Sequence, residues 1–265
     1  MTDPGSLLKF RRAEQHLAEA QTHVRKFLAR NPYEIAREEE GEPNRTSFWV
    51  TLHEEVPADV SLAAGDAIHN LRSALDHIVY EISSKREANP RNTSFPCLAK
   101  ESDWDQRRED GSLQPYCGLN RIRLLPDEAQ TIVYNLQPWP REQPFMPDLF
   151  GPNRERLREL HLLDIADKHK NLNVAVLEID VVGVGHNETD PDFEFEYVLR
   201  KGPLQPDTRT LVLRLFNPSK VQVEFLPTLD IVFSEGSAWN EPVVGKLLEI
   251  YRNVGMVLNA LSRFA

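Results

Sequence analysis

The spacing of apolar residues changes along this 265-residue chain, and that change restricts the fold more than any other feature. Before residue 172 and again after residue 241, apolar side chains recur every three or four positions in long segments, as in amphipathic helices. Between residues 173 and 234 they recur every second position, as in half-buried strands. Helices on both sides of a block of strands predict an α+β fold, in which a helical bundle packs against an antiparallel β-sheet of about five to six strands.

The apolar stripes and their breakers place the individual segments within a single α+β domain over residues 1–265. We expect helices over 7–30, 61–85, 126–136, 153–170 and 241–263, one early strand over 48–52 after an acidic loop at 38–42, and the sheet over 173–234. Turn residues separate the later strands, which predicts a meander with a hairpin turn at Gly183–Gly185. Five prolines within 137–152 predict an extended wrapping loop.

Composition limits the classes of partner and compartment. The formal net charge of -10 disfavours broad nonspecific binding to duplex nucleic acid, which depends on neutralising phosphates with Lys and Arg. The two cysteines, Cys97 and Cys117, are too few for a disulfide scaffold or a cysteine-based zinc site. No secretory leader and no apolar run long enough to span a membrane are present, so we expect a cytoplasmic protein without a membrane partner.

The predicted helix over 61–85 carries chemistry-bearing side chains that a solvated helix face does not need. Its apolar stripe lies opposite a polar side formed by Asp66, His69, Ser73, Asp76 and Tyr80, with Asn70, His77 and Arg72 on the flanks. A solvated face would be expected to carry Lys and Glu. Short and hydrogen-bonding side chains indicate contact with another part of the protein.

A second helix, predicted over 153–170, supplies a matching set of charged groups. His161, Asp164 and Lys168 share one stripe, and apolar residues fill most of the remaining circumference, as in a buried helix. If the two helices are neighbours, Arg72 pairs with Asp76 or Asp164, and the imidazoles form hydrogen bonds across the interface.

Two further interpretations of these helices stay open. Buried charges are paired, so the network can exist for packing specificity alone, in a noncatalytic scaffold or binding module. The second interpretation is a metal site. A carboxylate and an imidazole lie one helical turn apart in two places, at Asp66 and His69 and at His161 and Asp164. Two such pairs without a Glu fall short of a di-iron set.

In this region the chain resembles a group of uncharacterised bacterial proteins. The shared motifs are H-N-L-R-x-x-L-D-H at His69–His77, Q-P-aromatic at Gln137–Trp139 and L-D-x-x-D-K-H-basic at Leu163–Lys170. The resemblance covers residues 62–172 and implies no activity. A more distant resemblance is to the HEPN superfamily of helical bundles, many of which are metal-independent ribonucleases. Their motif is an Arg followed by a polar residue and, a few positions later, a His.

Arg72, Ser73 and His77 match that motif, although Ser73 replaces the Asn, Asp or His usual after the Arg. The resemblance implies that His77 moves protons during RNA cleavage, and that Arg72 stabilises charge on the phosphate. It also implies a homodimer, RNA as partner and no cofactor. The predicted catalytic set is Arg72, His77, Asp76 and His69, with Asn70, Ser73, Asp164, Asp167, Lys168 and His169 as supporting residues.

Overall fold

A computed structural model describes residues 3–40, 45–139, 151–169, 172, 174–182, 194–197, 204, 207–216 and 226–265. The helices in these ranges are α1 (Gly5–Leu28), α2 (Ala58–Ser84), α3 (Gly118–Arg121), α4 (Asp127–Asn135), α5 (Gly151–His169) and α6 (Val243–Ser262). The strands are β1 (Tyr33–Glu40), β2 (Arg45–Leu52), β3 (Val174–Val182), β4 (Glu194–Tyr197), β5 (Arg209–Phe216) and β6 (Leu226–Phe233). The predicted α+β class is confirmed. The turn at Gly183–Gly185 and residues 140–150 of the Pro-rich segment lie outside the described residues.

The strands pair in an order that differs from the predicted meander. A four-stranded antiparallel sheet has the order β1-β2-β5-β4, and β3 pairs with β6 in a separate two-stranded sheet. The meander prediction is wrong because period-two patterning defines the faces of a strand and leaves its partner open. In this fold β1 pairs with one edge of β2, and β5 pairs with the other edge of β2.

The predicted acidic loop at 38–42 is also corrected by the structure, because Glu38–Glu40 belong to β1. These residues pair in register with Ser47, Thr46 and Arg45 of β2. Arg209 on β5 forms an ion pair with Glu38, so a cation from a distant part of the chain compensates the acidic run. Charged side chains on an edge strand also oppose pairing with another sheet edge.

The chain divides into two compact units, and all of the candidate site residues lie in one of them. This helical unit comprises residues 1–19, 62–172 and 244–265. The strand-containing unit comprises residues 20–61 and 173–243. The single-domain organisation stays a prediction. No helix in the described ranges is long and apolar enough to cross a membrane.

In the helical unit, α2 buries the stripe that its sequence periodicity predicts. Ile68, Leu71, Leu75, Ile78, Val79 and Ile82 are all nearly inaccessible to solvent. On α6 the residues Leu247, Ile250, Val254, Val257 and Leu261 are buried in the same way. Burying a large aliphatic side chain contributes roughly 1.5–3 kcal/mol, so these stripes hold the two helices in the unit. The polar side of α2 is thereby fixed in orientation.

Candidate functional site

The two charged helices, α2 and α5, are in direct contact. A Cβ atom added at Gly65 on α2 would lie 2.3 Å from Oδ1 of Asp167 on α5, so a larger residue at this position would displace the Asp167 carboxylate. One turn later on α2 and one turn earlier on α5, Nδ1 of His69 lies 3.5 Å from Oδ1 of Asp164. The helix-to-helix contact on which the candidate site depends is therefore present.

Four side chains at this contact form what we call the His69 cluster: His69, Ser73, Asp164 and Lys168. Nε2 of His69 lies 3.5 Å from the hydroxyl oxygen of Ser73, and Nδ1 faces Asp164. The Lys168 ammonium donates a hydrogen bond of 2.6 Å to Oδ2 of Asp164. The cluster thus runs in the order hydroxyl, imidazole, carboxylate, ammonium.

Burial differs sharply within the His69 cluster. The side chain of His69 is 50% exposed, whereas that of Asp164 is only 4% exposed. Oδ1 of Asp164 has no hydrogen-bond partner among the described residues, and Nδ1 of His69 is the nearby group that can supply one. A carboxylate beside Nδ1 orients an imidazole and stabilises the imidazolium that forms when Nε2 accepts a proton. The cluster can therefore accept or donate a proton at Nε2 of a half-exposed imidazole.

Arg72 and Asp76 form a separate clamp on the backbone of Phe95. The guanidinium of Arg72 donates to the Phe95 carbonyl oxygen at 2.6 Å and lies 3.0 Å from Oδ1 of Asp76. The same carboxylate oxygen accepts a hydrogen bond of 2.9 Å from the Phe95 N–H. Of the two pairings open to Arg72, the structure contains the one with Asp76. Arg72 is only 9% exposed, so the N–H groups of its guanidinium face other protein groups and not solvent.

His77 lies against the start of α1. A Cβ atom added at Gly5 would lie 2.6 Å from Nδ1 of His77. His77 lies five positions after Arg72, so the two side chains project from α2 in directions about 140° apart around the helix axis. The Arg and His of the HEPN-like motif thus have different partners, on Phe95 and on α1.

The other predicted supporting residues occupy the edge of this region. The amide of Asn70 donates to the Asp66 carbonyl oxygen at 2.8 Å, and its oxygen lies 3.5 Å from the Lys9 ammonium. His169 is exposed in the last turn of α5, next to Lys168. The Lys168 ammonium, in the last turn of α5, is stabilised by the helix dipole.

The four residues of the metal-site interpretation, Asp66, His69, His161 and Asp164, do not come together as ligands. Within the described ranges, no group of three or more His, Cys, Asp or Glu side chains is placed to hold a metal ion. Asp66 instead approaches His16, with 3.8 Å between Oδ2 and Nδ1. Burial lowers the pKa of His161, and the nearby Arg72 guanidinium lowers it further, which favours a neutral imidazole.

Asp167 gives a prediction on pH dependence. Burial raises the pKa of Asp167, and the neighbouring Asp164 and Asp66 carboxylates raise it further. Between the unfolded value of 3.8 and the raised folded value, the folded state binds more protons, so the Asp167 contribution to stability falls as pH rises. We expect Asp167→Asn to be more stable than wild type at pH 7, with an advantage that shrinks towards pH 3.8. Urea unfolding of both proteins across this range measures the difference, and parallel pH curves would contradict the prediction.

Gln137 belongs to the Q-P-aromatic motif, which predicts no role for it, and its role is visible in the structure. Gln137 is fully buried and donates to the carbonyl oxygens of Pro96 and Val133, each at 3.0 Å. Its side-chain oxygen accepts a hydrogen bond of 3.1 Å from the Leu98 N–H. The only sequence signal for a role of Gln137 was its position before Pro138 in that motif. Its partners could not be predicted, because they are backbone atoms and no sequence pattern identifies them.

Cys97 lies close to the Arg72 clamp, and its thiol is unreactive at neutral pH. Burial raises the pKa of Cys97 to about 11, and its Sγ lies 3.2 Å from the Leu157 carbonyl oxygen. Since the thiolate is the nucleophilic form, a thiol with so high a pKa is unreactive at neutral pH.

Comparisons of the chain with protein families, curated proteins and solved structures found no match. The His69 cluster, which combines a half-exposed imidazole with a buried carboxylate, is the feature from which a function can be argued.

Proposed function

We propose that this chain is a HEPN-like, metal-independent ribonuclease in which His69 is the general acid–base group. The observation that carries the proposal is the half-exposed imidazole held between the hydroxyl of Ser73 and the buried carboxylate of Asp164. In RNA cleavage, Nε2 would accept the proton of the 2′-hydroxyl as that oxygen attacks the phosphorus atom. Asp164 would stabilise the imidazolium. As the bond from phosphorus to the 5′-oxygen breaks, Nε2 would return that proton to the leaving 5′-oxygen, and a 2′,3′-cyclic phosphate would remain.

His69 is a better candidate for the acid–base group than His77. A carboxylate that is 4% exposed faces Nδ1 of His69, whereas His77 packs on Gly5 at the start of α1. At the end of α5, Lys168 provides an exposed cation that would attract a phosphate, and the exposed imidazole of His169 lies beside it. Arg72, which the resemblance assigns to the phosphate, would instead keep Phe95 and α2 together.

The proposal includes RNA as substrate, action as a homodimer and a cytoplasmic location. The first two rest on the HEPN resemblance of the Arg72–His77 segment, with His69 taking the acid–base role that the resemblance gives to His77. Single-stranded RNA is the favoured form, because an acidic chain is poorly suited to binding a duplex along its phosphates. Free thiols at Cys97 and Cys117 fit a reducing compartment.

The test is cleavage of a single-stranded RNA oligonucleotide by the purified chain in the presence of EDTA. We expect His69→Gln to lower the cleavage rate by about 10²–10⁴-fold, the usual contribution of a general acid or base. Asp164→Asn should lower it as well, because the imidazolium loses its carboxylate. His53→Gln is the matched control, since His53 is an exposed histidine of the strand-containing unit and its variant should cleave at the wild-type rate.

The variant His77→Gln separates the two histidines of α2. If His77→Gln abolishes cleavage while His69→Gln retains it, the acid–base role belongs to His77, and our assignment is wrong. Far-UV circular dichroism of each variant shows whether the fold is retained, so a loss of activity can be attributed to chemistry.

A noncatalytic binding module is the second candidate, and the clamp of Arg72 and Asp76 on Phe95 favours it. The clamp uses both the N–H and the carbonyl oxygen of Phe95, and Arg72 is 9% exposed, as in a network that only fixes packing. Under this alternative neither the wild-type chain nor His69→Gln cleaves RNA, and the two proteins have the same stability.

A further inference from the structure

We propose that Ser73 is a nucleophile and that the His69 cluster also hydrolyses activated carboxylic esters. This inference rests on the proton-transfer role of His69 in the proposed function and goes beyond it, because the attacking hydroxyl belongs to the protein and not to RNA. Ser73 Oγ lies 3.5 Å from Nε2 of His69, and Asp164 Oδ1 lies 3.5 Å from Nδ1. Each nitrogen of one imidazole thus faces the partner required for a hydroxyl–imidazole–carboxylate relay.

The relay combines a local and a tertiary contact. His69 and Ser73 are one helical turn apart on α2, which places their side chains side by side. Asp164 comes from α5, so its approach to Nδ1 requires the close packing of α2 on α5 at Gly65. Catalytic hydrogen bonds are often longer in the free protein and shorten when substrate binds, so separations of 3.5 Å suit a resting relay.

Other nearby groups that could act as nucleophiles are less suited. Burial raises the pKa of Cys97 to about 11, which keeps its thiol protonated. Ser83 is fully buried on α2. The hydroxyl of Ser6 donates to a Glu81 carboxylate oxygen at 2.7 Å, which is a weaker base than an imidazole, and Ser6 is buried. Ser73 is partly exposed and has an imidazole beside it.

The reaction would proceed in two balanced steps. Ser73 Oγ attacks the ester carbonyl carbon while its proton passes to Nε2 of His69, and the tetrahedral intermediate then expels the alcohol, which takes that proton. The result is an acyl group on Ser73. A water molecule next attacks the acyl carbon and gives its proton to Nε2, after which the carboxylic acid leaves and the Ser73 oxygen recovers the proton.

The position of Ser73 also restricts the class of ester. Ser73 lies within α2, where backbone N–H groups are used in helical hydrogen bonds and do not form an oxyanion hole. Because one oxyanion-hole donor typically contributes about 10²–10³-fold to kcat, turnover should be slow. Aryl esters fit this site, since their good leaving groups lower the barrier that such donors would otherwise reduce.

The first experiment is covalent labelling of the full chain with a fluorophosphonate, followed by peptide mass spectrometry. We expect a phosphonyl adduct on Ser73 of the wild-type protein and none on that peptide in Ser73→Ala. Labelling of His69→Gln should be about 100-fold slower, since the general base is lost. Ser61→Ala is the matched control on the same helix, and its labelling should equal that of wild type. An unlabelled wild-type protein, or an adduct on another serine alone, would overturn the inference.

Parallel assays with p-nitrophenyl acetate and RNA separate this inference from the proposed ribonuclease. If Ser73→Ala cleaves RNA normally but loses labelling and ester hydrolysis, the inference is supported and the ribonuclease needs no serine. If labelling requires Ser73 and His69 while RNA is never cleaved, the inference is supported and the proposed function fails. If RNA cleavage requires His69 while wild-type Ser73 stays unlabelled, only the inference fails.

Discussion

Arg72→Ala is expected to lower the free energy of unfolding by about 3 kcal/mol. Removing the guanidinium leaves the Phe95 carbonyl oxygen without its 2.6 Å donor and leaves the Asp76 carboxylate without its cation. Removing one partner of a buried pair typically costs about 3–5 kcal/mol. Since Asp76 is 38% exposed, water can solvate part of its charge, which places the effect at the lower end. Urea unfolding at pH 7, followed by circular dichroism, measures the change.

Two variants control for the loss of charge. Arg91→Ala removes an exposed arginine in the same unit and should change stability by no more than about 0.5 kcal/mol. Arg72→Lys keeps the charge but replaces a planar fork by a single ammonium, so we expect an intermediate loss. If Arg72→Ala unfolds like wild type and yet cleaves no RNA, the guanidinium acts on substrate, contrary to the role we assign it.

Stability and activity should therefore separate along α2. His69 is half-exposed, and its side chain makes no backbone hydrogen bond within the described part of the chain, so His69→Gln should affect chemistry while leaving unfolding nearly unchanged. Arg72 should show the opposite pattern, because its partners are Asp76 and the Phe95 backbone. Two residues three positions apart thus perform different tasks.

The helices were predictable because their signal is local. Periodicity predicted 61–85 for α2, and the helix spans Ala58–Ser84 with the expected stripe buried. A helix buries the face that its own sequence defines, so no knowledge of the partner is needed. The polar face with His69 and Ser73 followed from the same geometry.

The strand partners and the contact of Arg72 with Phe95 could not be predicted in this way. Alternation marks β5 as a strand, but its pairing with β2 depends on a segment far away in the sequence. Likewise, Arg72 binds the backbone of Phe95, which lies in a segment without any periodic apolar pattern. Nor can the spacing of His69 and Asp164 tell which imidazole nitrogen faces the carboxylate, because that depends on how α2 packs on α5.

The largest effect outside α2 is expected for Gln137→Leu, which should lower the free energy of unfolding by about 3 kcal/mol. Gln137 is fully buried, and its amide is bound to Pro96, Leu98 and Val133. Leucine of similar volume leaves those backbone groups without partners in a site closed to water, at about 1–3 kcal/mol each for groups that stay unpaired. Thermal and urea unfolding measure the loss, and Gln106→Leu, on the exposed surface, is the control that should change little.

Gln137 and Arg72 hold neighbouring positions of one segment, so their effects should not add. Arg72 binds the Phe95 carbonyl oxygen, while Gln137 binds Pro96 and Leu98. Once the segment has moved away from one anchor, losing the other costs less. A double-mutant cycle with Arg72→Lys and Gln137→Leu keeps the protein folded, and we expect the combined loss to be smaller than the sum by about 1 kcal/mol. Strict additivity would mean that each anchor holds its own part of the segment independently.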